Sequence, residues 1–85
     1  MGKCDKILAK AERSPNNISF AEICELAECF GFIFRRQSSS HRIYENPELK
    51  VGQNRIQNFQ NFNGKAKPYQ VRQLLRAVQF LRDEN

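Results

Sequence analysis

Histidine is nearly missing from this chain: His41 stands alone among 85 residues. A two-imidazole acid–base mechanism is therefore excluded. A structural zinc site would need ligand spacing that one histidine and Cys4, Cys24 and Cys29 do not supply, so no metal and no cofactor are expected. The cysteines form neither a C-x-x-C pair nor an even-numbered framework. Cys24 and Cys29 lie five apart in a predicted helix and diverge around its axis, so buried, reduced thiols in a reducing compartment are expected. Long apolar runs are missing as well. Cys29 to Phe34, six residues, is the longest uncharged one, against the roughly 18 that a membrane span needs. No basic n-region precedes an apolar h-region, so no signal peptide is read and a soluble, cytoplasmic protein is expected. P-loop, G-x-S-x-G and H-E-x-x-H motifs are absent, as is any Cys/His dyad spacing.

What the chain does carry is positive charge, unevenly placed. Residues 1–31 hold four Lys/Arg against five acids, net −1, and residues 32–85 hold ten against four, net +6. A pI near 9.5 with the charge gathered in one half suggests an anionic partner, nucleic acid or an acidic protein. At 10.0 kDa there is room for one domain, spanning 1–85, with a modest core. Hydrophobic content of 40% and charged content of 27% are ordinary globular values, which argues against wholesale disorder.

Three helices and a small sheet follow from the pattern. Lys3 to Arg13 is rich in helix formers and is ended by Ser14-Pro15-Asn16-Asn17. Ser19 with Glu22 makes a capping box for a second helix, flanked by Ile18 and Ile23 as a hydrophobic staple. Phe20, Ile23, Cys24, Ala27 and Phe30 give it one buried face, and Gly31 a left-handed stop. Phe32 to Gln37 and His41 to Glu45 read as strands joined at Ser38-Ser39-Ser40, and Asn54 to Phe62 offers a third strand of uncertain register. Pro68 opens a last helix with an apolar stripe of Val71, Leu74, Leu75, Val78 and Leu81, with Gln70 among the residues facing out. The expected fold is α+β, a two-layer sandwich of order α-α-β-β-β-α. Its three-stranded antiparallel sheet would carry helices on one face and leave the other open.

Candidate chemistry gathers around His41, the only side chain whose ordinary pKa lies near neutrality. It is read either as an acid–base residue or as a surface or structural histidine. Arg35, Arg36 and Arg42 bracket it, and guanidinium groups suit phosphate. Strand alternation puts Arg35 and Arg36 on opposite faces, so at most one would join His41. The competing reading is a solvated basic edge. Tyr44 and the phenylalanines could stack bases, although most of the rings are needed for the core. Lys65 and Lys67, ahead of Pro68, could hold a phosphate with the free N–H groups of the helix start.

Ser40-His41-Arg42-Ile43-Tyr44, read with Gly31-Phe32 upstream and Gly64-Lys65-Ala66-Lys67-Pro68-Tyr69-Gln70-Val71-Arg72-Gln73-Leu74-Leu75 downstream, resembles the HicA family of toxins over roughly residues 17–80. The resemblance implies a double-stranded-RNA-binding-domain-like fold and a ribosome-independent mRNA interferase, monomeric when free. A HicB-type antitoxin would cover its active face. It carries the family histidine onto His41 and the family serine onto Ser40. The usual preceding glycine is Ser39 here, which bears on the geometry of the turn. A second histidine seen in some members is absent, and residues 3–13 extend beyond the commonest short form. RNA-binding positions expected on this reading are Ser40, Arg35, Arg36, Arg42, Tyr44, Lys65 and Lys67. Two other readings remain open: a non-catalytic RNA-binding module, and a basic interaction domain for an acidic partner.

Overall fold

The amphipathic stripes and turn signals resolve, in a computed structural model describing residues 2–83, into three helices and three strands. Helix α1 spans Lys3–Arg13, and a 3-10 turn at Pro15–Asn17 leads into α2, Phe20–Cys29. Strands β1 (Ile33–Ser38), β2 (His41–Glu45) and β3 (Ile56–Gln60) follow, and α3 (Pro68–Asp83) closes the chain. The expected α-α-β-β-β-α order holds. Among the described residues no helix is long and apolar enough to cross a membrane.

The start of α2 forms as its sequence predicts. Glu22 N donates to Ser19 Oγ at 3.0 Å and Ser19 N to the Glu22 carboxylate at 2.9 Å, satisfying two donors that the first helical turn would leave free. Lys10 Nζ reaches the same carboxylate at 3.0 Å and ties α1 to this cap. Both staple residues, Ile18 and Ile23, are buried. Gly31, at φ +88°, turns the chain out of α2 into β1.

The sheet is an antiparallel meander of order β1-β2-β3. One face packs on the helices through Tyr44, Gln57 and Phe59, all buried; the other leaves Ile33, Ile56 and Asn58 exposed. Core side chains from the helices are Ile7, Leu8, Leu26, Val71, Leu74 and Val78, with Phe20, Phe30 and Leu75 packed at the margin. Each fully buried Leu, Ile or Phe contributes about 1.5–3 kcal/mol relative to exposure.

Three expectations are corrected. Cys4 and Cys29 are joined in a disulfide, with Cα atoms 5.9 Å apart, and only Cys24 is a free, buried thiol. The two helices run side by side, so the first turn of α1 meets the last residue of α2; spacing within one helix could not reveal that pairing. Gln70 is buried rather than outward, because its carboxamide accepts a hydrogen bond from Gln60 N at 2.9 Å. Phe62 lies outside the third strand, beyond Gln60, and its ring is exposed.

Candidate nucleic-acid interface

Register across the sheet defines the open face as three cross-strand rows. The first is Ile33, Glu45 and Ile56, the second Arg36, Ile43 and Asn58, and the third Ser38, His41 and Gln60. The third row lies beside the β1–β2 turn. There Ser39 takes φ +55°, a left-handed value costly for any residue with a Cβ and one that glycine adopts freely. Ser40, half-buried, accepts a hydrogen bond through its carbonyl from Asn61 N at 2.9 Å, which fastens the turn to the segment after β3.

His41 is half-buried, and its Nδ1 lies 2.9 Å from Asn58 Oδ1. With the carboxamide oxygen facing the ring, this contact suits the tautomer of the neutral imidazole in which Nδ1 donates and Nε2 is the acceptor. Asn58 is a positioning residue that sequence reasoning missed. Its strand is legible in the sequence, but only the exact register brings Asn58 beside His41.

A β-bulge at Arg35 overturns the alternation expected for the arginines. Pairing passes from Phe34↔Tyr44 directly to Arg36↔Ile43, leaving Arg35 without an opposite residue. Arg36 therefore shares the open face with His41, one row away. Arg35 reaches that face too, where its Nε lies 3.1 Å from Glu45 Oε1. Arg55 Nε lies 3.0 Å from the other oxygen of Glu45, so this carboxylate is held between two guanidinium groups, two rows from His41.

Arg42 and Tyr44 are not on the open face. Arg42 follows His41 and points to the helix side, its guanidinium 5.1 Å from the Phe34 ring centroid and its Nε 3.3 Å from Gln37 Oε1. Tyr44 is buried, its ring against Phe34 and Phe59, and its hydroxyl donates to Glu28 at 3.0 Å. Burial, with Cys24 and Glu28 beside it, pushes the Tyr44 hydroxyl well above the ordinary phenol range. Burial also raises the Cys24 thiol, so thiol and phenol both stay protonated. The assignment of Tyr44 as a base-stacking residue is therefore withdrawn, and Arg42 cannot share a phosphate with His41.

Lys65 and Lys67 lie in the loop before α3. Lys65 is exposed and pairs with Phe62 through two backbone hydrogen bonds, of 2.9 and 3.0 Å, while the Lys67 ammonium lies 5.6 Å from the Phe62 ring centroid. The Asn61–Ser40 and Gln60–Gln70 hydrogen bonds join this loop to the His41 end of the sheet. The structure thus brings Ser40, His41 and Arg36 to one end of the open face, whereas Lys65 and Lys67 lie in the adjoining loop, which also pairs with Ser19 at the start of α2. Among the described residues no three His, Cys, Asp or Glu side chains cluster as metal ligands. Comparison with family models, with curated proteins and with solved structures finds no match to this chain.

Proposed function

We propose that the protein is a ribosome-independent, metal-independent endoribonuclease of the HicA kind, a toxin that cleaves mRNA with His41 as its acid–base residue. The observation that carries this reading is the hydrogen bond between His41 Nδ1 and Asn58 on a basic, open sheet face. It orients the imidazole and leaves Nε2 available to a substrate. In the step that this supports, Nε2 takes the proton of a ribose 2′-OH and the 2′-oxygen attacks the adjacent phosphorus. The bond from phosphorus to the 5′-oxygen breaks, and water supplies the proton to the leaving oxygen. The products are a 2′,3′-cyclic phosphate and a 5′-hydroxyl. Arg36, one row from His41, takes the role of neutralising charge on the phosphorane that sequence alone had offered to Arg35 or Arg42.

The restraining partner on this reading is an acidic, HicB-type antitoxin laid on the open face, where it would hide His41, neutralise Arg36 and cover Ile33 and Ile56. The compartment is the cytoplasm, where thiol buffers would make Cys4–Cys29 a reducible link. A non-catalytic RNA-binding module is the second reading. It is favoured by the neighbours of His41, since Ser38, Gln60 and Asn58 do not exchange protons near neutral pH.

The test measures melting temperature and RNA half-life on the same samples of His41→Ala and His41→Gln, with EDTA present. A half-buried residue on an open sheet face leaves stability within about 0.5 kcal/mol. Loss of the acid–base group slows cleavage about 10²–10⁴-fold. Undiminished cleavage by well-folded His41→Ala removes the catalytic assignment, and intact RNA bound equally well by all three proteins favours the binding module.

A further inference from the structure

Two aromatic side chains stand exposed beyond the Gln60 end of β3 and at the start of α3. Phe62 is 57% exposed and Tyr69 is 54% exposed, so each leaves apolar ring surface in water that burial would remove. With Asn16, Lys65, Lys67 and Pro68 they line a concave surface of about 430 Å³. We propose that Phe62 and Tyr69 form a base-stacking subsite for one single-stranded ribonucleotide, with Lys65 and Lys67 on its phosphates. The proposal rests on the ribonuclease reading and adds where the substrate is gripped next to the bond that His41 cleaves.

Position, charge and rigidity all support this occupant. Gln60 lies opposite His41, about 4.8 Å away across the ladder, and Phe62 follows two residues later, about 7 Å further along an extended chain, which puts it about 8–9 Å from His41. That is the reach of a single extended nucleotide. Tyr69 is held by the same link: Gln70 Nε2 donates to its hydroxyl at 3.3 Å, while Gln70 Oε1 accepts from Gln60 N at 2.9 Å. A buried carboxamide thus couples the aromatic surface to the strand that faces the imidazole. The Lys67 ammonium already sits over the Phe62 ring, 5.6 Å from its centroid, so an incoming base would meet a ring with a cation attached and its phosphate would meet that cation. A base can reach these rings only when it is not stacked in a duplex, which makes the expected ligand single-stranded.

The chain has no tryptophan, so Phe62→Trp places a sole indole reporter in the subsite. The variant is made in a His41→Gln background to keep RNA intact and is titrated with a short, fluorescein-labelled uridine-rich oligoribonucleotide. The same oligomer with abasic sugars is the control. Binding is read by anisotropy and stacking by quenching of indole emission. Quenching that tracks the anisotropy, with binding at least about fivefold weaker for the abasic oligomer, is the expected result. Tyr69→Ala with Phe62 left in place is expected to weaken binding of the normal oligomer by a similar factor while leaving the melting temperature unchanged. Tight binding with unquenched emission, equal affinity for the abasic oligomer and no effect of Tyr69→Ala overturns the subsite and leaves the ribonuclease reading standing. Absence of any anisotropy change overturns both.

Discussion

Opening the Cys4–Cys29 link tests how much of this small domain depends on one covalent bond. The link closes a loop of 25 residues between the first turn of α1 and the end of α2. In the chain-entropy description, a loop of about 25 residues restricts the unfolded chain by about 3.5 kcal/mol at room temperature. The bond is not the sole link between the two helices. Ile7, Leu8 and Ala11 are buried, and Lys3–Glu25 and Lys10–Glu22 ion pairs also join them. We therefore expect reduction, or Cys4→Ser combined with Cys29→Ser, to cost about 2–4 kcal/mol, with the denatured state as the main source. For a domain of this size the melting temperature falls by about 10–25 °C. Circular dichroism melts of oxidised protein, reduced protein and the double variant make the comparison. The reduced and doubly substituted proteins should coincide, and their denaturant slopes should exceed that of the oxidised form because their unfolded chains expose more surface. On the proposed ribonuclease reading, cleavage measured well below the transition should be unchanged, since the link lies in the helical layer behind the sheet. Superimposable melts of the oxidised and reduced proteins refute the reasoning.

Two further outcomes test local features. Ser39→Gly relieves a left-handed serine, which costs about 1–2 kcal/mol, while loosening the unfolded chain by somewhat less; a net rise of a few degrees in melting temperature is expected, and a fall would show that the turn is not strained. The Glu22 carboxyl is held below its ordinary value of 4.5 by the Ser19 backbone N–H first and by Lys10 as well, so its stabilisation is complete above that value and fades as pH falls through the depressed one. Glu22→Gln should cost about 1 kcal/mol at neutral pH and nothing in strong acid, as followed by urea midpoints across pH; a difference that persists in acid would place the effect elsewhere.

Much of the fold was legible because local chemistry and packing agree. The Ser19–Glu22 cap, Gly31 and Pro68 each specify a boundary through the backbone atoms beside them, and those boundaries appear where the residues predict. The candidate site was less legible. His41-Arg42-Ile43-Tyr44-Glu45 has an apolar residue on each face, Ile43 on one and Tyr44 on the other, so alternation alone does not say which face is buried. That choice depends on Phe34 and Phe59, which meet Tyr44 from neighbouring strands. Arg42 follows Tyr44 to the helix side by parity. The bulge that brings Arg35 and Arg36 to one face depends on two strands finding a common register, and the disulfide on two helices lying side by side. Both involve residues far apart in sequence, beyond the reach of spacing.

The extra residue at Arg35 also governs how the chain tolerates changes in length. Phe34 is fixed against Tyr44, and Ser38 against His41, so the ends of β1 are anchored on either side of a segment that already contains one residue more than its partner. A sequence shorter by one residue there would restore a regular ladder without moving the turn, the imidazole or the ring contacts. Among diverging copies of such a chain, a one-residue gap between Phe34 and Gln37 would be structurally quiet, whereas the same gap in β2 would turn His41 to the opposite face.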